Sequence, residues 1–228
     1  MSSHSTLRRQ LANRPEPLLP PDEPMAVVAP TVTSDRGNPW VRRLLALFGW
    51  QVRYHGTPPG CGVIVAYPHT SSWDFVVGIV AKWAIGLPVA FLGKDSLFQV
   101  PVFGRFMRWC GGIPVRRDSA NGLIADMARR MTDGNTRGAR WWLAVAPEGT
   151  RKASTGWHAG FYHMACTAQV PIGLAYFNFA RKEIGVTHYL MPSGNAEADL
   201  RQIARWYADH AVGKYPELAA PVRLKPSR

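Results

Sequence analysis

The pattern of apolar and polar positions from residue 51 onward alternates between two kinds of segment. Short apolar runs rich in β-branched residues predict strands over 62–67, 88–92, 113–115, 141–146, 170–177 and 186–191. Segments with apolar residues at helical spacing predict helices over 71–86, 99–110, 121–131, 161–168 and 197–211. Strands that alternate with helices are typical of a mainly parallel or mixed sheet flanked by helices on both faces. The sequence therefore predicts an α/β fold with a single domain.

The first 38 residues show neither of these patterns. They contain six prolines: Pro15, Pro17, Pro20, Pro21, Pro24 and Pro30. Proline at this density removes backbone donors and blocks helix formation. We therefore predict a Pro-rich flexible or extended tail over 1–38 and a folded domain over 39–228.

The segment 39–50 predicts a short amphipathic helix at the start of this domain. Asn38 can cap it, and Pro39 suits a first helical turn. Its apolar residues at helical spacing, with Arg42 and Arg43 beside them, are Trp40, Leu44, Leu47 and Phe48. Two interpretations stay open: a helix that lies in a membrane interface, and a surface helix packed on the core.

Composition narrows the class of protein. The chain has 228 residues, of which 46% are hydrophobic and nine are Trp, and this composition excludes wholesale disorder. The three cysteines, Cys61, Cys110 and Cys166, form no CxxC pair, which argues against a disulfide framework or a cysteine zinc site and suggests a reducing compartment. No secretory signal or clean transmembrane span is recognisable. We expect a cytoplasmic protein, associated peripherally with the inner face of the cell membrane if it binds lipid.

The charge is concentrated in the predicted domain. Lys and Arg outnumber Asp and Glu by 27 to 15, for a net charge of +12, while the four arginines and four carboxylates of residues 1–38 cancel. A domain this basic should attract phosphates on nucleic acid, anionic lipid or an acidic carrier. No nucleic-acid recognition motif is present, so we predict no nucleic-acid partner.

The first candidate site follows the strand predicted over 62–67. His69 is followed five residues later by Asp74, and an imidazole with a carboxylate is the minimum for a general base with an orienting partner. The two side chains can meet if His69 lies in the loop before the helix and Asp74 in its first turn. The alternative is that Asp74 completes a capping box with Ser71 and His69 is an ordinary loop histidine.

Two further strand ends carry basic residues, and carboxyl ends of parallel strands are where sites gather. After 141–146 come Glu148, Gly149, Thr150 and Arg151, a glycine turn that could cradle a phosphate or carboxylate. After 113–115 come Arg116 and Arg117, which could supply a second phosphate contact. Each could equally be a solvated turn. No HExxH, P-loop or GxSxG motif is present, and we predict no metal site.

Taken together, these segments resemble the glycerolipid acyltransferase family, whose best-known members are the 1-acylglycerol-3-phosphate acyltransferases. The resemblance covers roughly residues 39–215 and rests on four blocks in order: 69–74, Lys94 through 117, 147–151 and 170–172. It implies transfer of a fatty acyl group from acyl-CoA or acyl carrier protein, as co-substrate and without other cofactor, to a lipid hydroxyl. It implies no acyl-enzyme.

The resemblance also implies roles for individual residues. His69 would be the general base and Asp74 its orienting partner. The acceptor's phosphate would be held by Lys94, Arg116, Arg117, Glu148, Gly149, Thr150 and Arg151. The block around Pro171 would lie near the acyl donor.

The first acceptor implied is 1-acylglycerol-3-phosphate, with phosphatidic acid as product. Pro68, Lys152 and His158 stand where many relatives carry Asn, Ser and Lys, so another lysophospholipid or a lyso-amino-lipid stays open as acceptor. Partners would be an anionic membrane surface and acyl carrier protein. A non-catalytic basic domain that binds anionic lipid is the competing class.

Overall fold

The computed structural model describes residues 25–32, 37–115 and 120–226. Within these residues the strands form one mixed sheet. Their bounds are β1 Ala26–Val27, β2 Gln51–Tyr54, β3 Gly62–Tyr67, β4 Val89–Lys94, β5 Gly112–Val115, β6 Trp142–Val145, β7 Ile172–Asn178 and β8 Glu183–Met191.

The helices alternate with these strands as the apolar pattern predicts. Their bounds are α1 Pro39–Leu47, α2 Ser72–Ile85, α3 Asp95–Phe98, α4 Pro101–Trp109, α5 Ala120–Thr136, α6 Gly160–Ala168 and α7 Ala196–His210, with a 3₁₀ turn at Pro216–Leu218. The α/β prediction is confirmed. Strand β2 and helix α3 were not predicted, because each is only four residues long and too short to show a clear period.

The order of strands places several loops together. The sheet runs β1–β8–β7–β3–β6–β4–β5, and β2 also pairs with β8. Strands β3, β4, β5, β6 and β7 are mutually parallel along this order, while β8 is antiparallel to β7. The carboxyl ends of the parallel strands therefore share one edge of the sheet, which we call the carboxyl edge.

The sheet lies between two helical layers. On one face Val63 and Val65 of β3 belong to a core cluster with residues of α5, α6 and α7. On the other face, clusters that include Ile64 and the partly buried Ala66 involve α1 and α2. Since alternate residues of a strand point to opposite faces, the continuous apolar run of β3 supplies both cores at once.

Part of the predicted tail is packed on the domain. Residues 26–27 pair with β8, and the buried Met25 donates its N–H to Gln202 Oε1 over 2.9 Å. The prediction of a flexible or extended tail is corrected for 25–32, because Met25 joins the core beside α7 and the short strand extends the sheet. Residues 1–24 and 33–36 of that tail lie outside the described residues.

Helix α1 forms where its cap signals predict. The Asn38 side chain accepts the N–H of Trp40 over 2.9 Å, and Pro39 begins the helix. Leu45 is buried against α2, whereas Leu47 is 84% exposed. The helix is thus attached to the core by a narrow stripe. In the described ranges no helix is both long and apolar enough to cross a bilayer.

Candidate active site

The first feature of the carboxyl edge is the loop between β3 and α2. Strand β3 ends at Tyr67, the Tyr67–Pro68 peptide is cis, and Ser71 caps α2. His69 lies in this loop and Asp74 in the first turn of the helix, with His69 Nδ1 3.3 Å from Asp74 Oδ2. Five residues along a regular helix would turn the two side chains apart, but the loop folds back and joins them. This is the arrangement required of a general base and its orienting partner.

Asp74 also completes the helix cap. Its Oδ2 accepts the N–H of Ser71 over 2.7 Å, and Ser71 Oγ accepts the N–H of Trp73 over 3.2 Å. The capping box and the histidine contact therefore coexist on one carboxylate. The bond from the Ser71 N–H holds the Asp74 carboxylate in place. The carboxylate in turn keeps Nδ1 of His69 directed toward it.

The two side chains differ in their access to solvent. The Asp74 side chain is 1% exposed, while that of His69 is 21% exposed. With Nδ1 directed at the carboxylate, Nε2 is the nitrogen left for a substrate. The contact with the buried Asp74 leaves Nε2 as the ring nitrogen on the side away from the carboxylate.

Glu148 does not serve as the sequence analysis predicts. It is 1% exposed, its Oε2 accepts the N–H of His69 over 2.5 Å, and its Oε1 accepts the N–H of Ala220 over 3.0 Å. A buried carboxylate whose two oxygens already accept hydrogen bonds would repel a phosphate rather than hold it. The structure thus corrects the prediction that Glu148 holds the phosphate of the acceptor. The buried carboxylate instead holds the backbone of the His69 loop. Burial raises the pKa of Glu148, and the two backbone donors partly offset this rise.

We predict that Glu148→Gln lowers the free energy of unfolding by about 1–3 kcal/mol. Glutamine has one acceptor oxygen, so one of the two backbone N–H groups would face an amide NH₂ instead of an acceptor. Urea unfolding of the variant measures this loss, and Glu217→Gln, at an exposed glutamate, is the matched control. An unchanged unfolding midpoint for Glu148→Gln would contradict the positioning role.

The turn after β6 presents the other residues of this block. Gly149 has a φ of +67°, and a Cβ there would come within 2.9 Å of the His158 ring, so the turn requires glycine. Thr150 Oγ1 accepts the N–H of Lys152 over 3.2 Å, and Arg151 is exposed. Strand β6 is the direct neighbour of β3, so this turn and His69 share the carboxyl edge.

The remaining predicted residues fall in three places. Lys94 ends β4, where it is exposed and lies opposite Val115 of β5, also at the carboxyl edge. Arg116 and Arg117 lie outside the described residues. Pro171 is not near the others, because it precedes β7 and its carbonyl accepts the N–H of Val63 at the start of β3.

Pro171 therefore lies at the edge of the sheet opposite His69, and its place near the acyl donor stays a prediction. The four steps along β3 from Val63 to Tyr67, about 13 Å at roughly 3.3 Å per residue, separate it from the carboxyl edge. Proline has no N–H to donate, so it fits the position just before a strand. This preference explains why proline stands at position 171 even without a role in binding. The block 170–172 marks the start of a buried strand.

The C-terminal segment 211–226, which the sequence analysis missed, covers the His69 loop. The N–H of Tyr215 donates to Thr70 Oγ1 over 3.3 Å, and the Tyr67 hydroxyl donates to the carbonyl of Ala220 over 3.0 Å. Burial raises the pKa of Tyr67 to about 12, so its hydroxyl stays a donor at neutral pH. The segment lacks helical or strand periodicity, so no signal in the sequence predicted its position.

This segment also delivers a cation to the third block. Lys225 Nζ lies 2.9 Å from His158 Nε2 and donates to the carbonyl of Glu148 over 3.2 Å. The ammonium group of Lys225 thus lies beside His158, the position where many relatives carry lysine. Over the described ranges, no three His, Cys, Asp or Glu side chains cluster so as to hold a metal ion.

Comparison with known proteins identifies the family of the chain. A 1-acyl-sn-glycerol-3-phosphate acyltransferase of Escherichia coli (strain K12) is 29% identical over 140 residues, or 57% of this chain and 54% of that protein. The chain thus spans about half the length of this curated relative. No solved structure matches the chain. The model of the family described as Acyltransferase matches residues 51–173, more than half of the chain. The chain belongs to the glycerolipid acyltransferase family.

Proposed function

We propose that this protein transfers a fatty acyl group from a thioester donor to the free hydroxyl of a lysophospholipid. The observation that carries the proposal is the contact between the accessible His69 and the buried, capped Asp74. The first acceptor is 1-acylglycerol-3-phosphate, which gives phosphatidic acid, and the name of the E. coli relative supports this choice. The donor is acyl-CoA or acyl carrier protein, and we propose no further cofactor.

In this mechanism His69 Nε2 accepts the proton of the acceptor's hydroxyl as its oxygen attacks the thioester carbonyl. The new C–O bond forms, the C–S bond breaks, and the proton passes from the imidazolium to the leaving thiolate. Asp74 holds the imidazole by Nδ1 and stabilises the imidazolium between the two proton transfers. Glu148 acts through the backbone of His69 and touches neither substrate.

The turn at 149–151 suits the phosphate of the acceptor. Arg151 carries a fork of N–H donors that can bind two oxygens at once, and the glycine turn leaves backbone near the ligand. We propose Thr150, Lys94, Arg116 and Arg117 as further contacts. The net charge of +12 supports this assignment, since the proposed donors and the acceptor are all anionic.

We predict that Arg151→Ala raises KM for 1-acylglycerol-3-phosphate by about 10- to 100-fold. A hydrogen bond to a charged group contributes roughly 1.5–3 kcal/mol to binding, and its loss weakens affinity by about this factor. The value of kcat should change little, because the phosphate is bound alike in the ground and transition states. Steady-state kinetics with oleoyl-CoA measures both constants.

The matched control is Arg201→Ala, which removes the same charge from an exposed position near the start of α7. This start follows β8, at the edge of the sheet opposite His69. An equal rise in KM for the two variants would mean that overall charge, and not a contact at the turn, sets acceptor affinity.

The choice of acceptor is tested by comparing kcat/KM for 1-acylglycerol-3-phosphate, for the zwitterionic lysophosphatidylcholine and for a lyso-amino-lipid. A preference for the phosphate monoester that disappears in Arg151→Ala supports the proposed acceptor. A preference for the lyso-amino-lipid would keep the acyl transfer and replace the acceptor. We further propose that the reaction takes place at the cytoplasmic face of an anionic membrane.

A further inference from the structure

The helical layer formed by α1, α2 and α4 exposes an unusual number of large apolar side chains. Leu47 of α1 is 84% exposed, Val102 of α4 is 82% exposed and Trp109 of α4 is 72% exposed. We call this surface the apolar face and define it by Trp40, Leu44, Leu47, Phe48, Trp73, Val76, Val102, Phe103, Phe106 and Trp109. A patch of this kind marks an interaction site.

These side chains are exposed although their helices are well anchored. Helix α1 buries Leu45 in the cluster with α2, and α4 buries Met107. At Gly104 a Cβ would come within 2.2 Å of the Phe98 carbonyl, so α4 packs closely on α3. Each helix therefore packs on the domain with the side opposite to its exposed apolar residues.

Helix α2 joins the two outer helices into one face. The carbonyl of Trp83, near the end of α2, accepts the N–H of Asn38, the cap of α1, over 3.1 Å. The Trp83 ring lies 5.2 Å from the ring of Trp109 at the end of α4. The cap of α1 and the last residue of α4 thus both contact Trp83 of α2.

The charges on this face have one sign. Helix α1 carries Arg42 and Arg43 and helix α4 carries Arg105 and Arg108; these arginines are exposed, and neither helix contains an acidic residue. The Arg43 guanidinium lies 5.0 Å from the centre of the Trp40 ring. Arginines among exposed aromatic residues are typical of helices that lie in the interface of an anionic bilayer.

The position of the face relative to the site matters as well. Trp73 belongs to the first turn of α2, one residue before Asp74, and its ring lies 5.3 Å from Lys214 Nζ. The apolar face and an added positive charge therefore reach the rim of the His69 loop. A surface docked here would lie beside the general base.

We infer that the apolar face docks the protein on the headgroup region of an anionic lipid bilayer, with α4 inserted alongside α1. The inference names the membrane contact of the proposed function and in that sense rests on it. A second copy of the chain fits this face poorly, because it would set arginines against arginines. The sequence analysis considered only 39–50 for this role, so the structure adds α2 and α4.

The experiment measures binding to vesicles of phosphatidylcholine with and without about 30% phosphatidylglycerol. We expect the wild-type protein to bind the anionic vesicles, with binding that weakens as salt screens the arginines. Val102→Glu and Leu47→Glu should each lower the partition coefficient by about ten-fold or more, since each places a carboxylate against an anionic surface. Val27→Glu, at an exposed valine of strand β1, is the matched control and should bind as the wild type does.

Two results would overturn the inference. One is binding of Val102→Glu, and of the double variant that combines Val102→Glu with Leu47→Glu, at the wild-type level. The other is a wild-type dimer that the same substitutions dissociate, since the face would then join copies of the chain. Thermal unfolding checks that each variant is folded, and turnover of a detergent-dispersed acceptor should stay at the wild-type level. Vesicle binding without turnover on any acceptor would overturn the proposed function and leave the docking face standing.

Discussion

Replacing His69 with alanine is expected to lower kcat for acyl transfer by about 10²–10⁴-fold, the usual contribution of a positioned acid–base group. The imidazole is the accessible member of the pair, and its Nδ1 is already directed at Asp74. The variant lacks the imidazole that we propose accepts the hydroxyl proton as the C–O bond forms. The measurement is the initial rate of product formation at saturating donor and acceptor.

The matched control for this variant is His55→Ala, at an exposed histidine that follows strand β2. Its rate should equal that of the wild type. KM of His69→Ala for the acceptor should change little, because the proposed phosphate contacts lie on other loops. Retention of more than a tenth of wild-type turnover in a folded His69→Ala protein would remove His69 from the role of base.

Asp74→Asn is expected to produce a loss of similar size, about 10²–10⁴-fold in kcat, with little loss of stability. The amide oxygen can still accept the N–H of Ser71, so the cap of α2 is kept. The negative charge that stabilises the imidazolium is lost. Asparagine therefore separates the electrostatic role of the carboxylate from its capping role.

The comparison with Asp74→Ala completes this test. Alanine removes the capping interaction as well, which should lower the free energy of unfolding by about 1 kcal/mol. Urea unfolding and turnover of both variants distinguish the roles. If Asp74→Asn turns over as fast as the wild type while Asp74→Ala is unstable, the carboxylate serves the helix alone.

Most of the fold could be predicted because it depends on local periodicity. The β-branched run at 62–67 and the helix that follows both lie where the pattern places them. The contact between His69 and Asp74 could also be predicted, because it depends only on a loop of four residues and a helix cap. Such contacts are close in sequence and depend on local geometry.

Long-range burial could not be predicted in the same way. Glu148 follows a strand in a glycine turn, a setting where glutamate is normally exposed, but its carboxylate is buried and bonded to the distant His69 and Ala220. Pro171 was assigned by its block, but the direction of β7, which is parallel to β3, decides at which edge of the sheet the block lies. Neither fact is encoded in nearby residues.

Helix α1 shows the same limit on a smaller scale. Periodicity predicted its residues, and the cap at Asn38 predicted its start. Which side of the helix would be covered depends on α2, which packs against Leu45 and leaves Leu47 in solvent. Periodicity groups apolar residues on a face, but the partner of that face is a property of the tertiary structure.

The central claim is acyl transfer to a lysophospholipid hydroxyl with His69 as base. Its most direct test is incubation of the purified wild-type protein with radiolabelled oleoyl-CoA and 1-acylglycerol-3-phosphate, followed by separation of the lipids. We predict labelled phosphatidic acid together with release of one free thiol per acyl group transferred. Folded protein that forms no acylated product with any lysolipid, from oleoyl-CoA or from oleoyl acyl carrier protein, would contradict the claim and leave a basic lipid-binding domain.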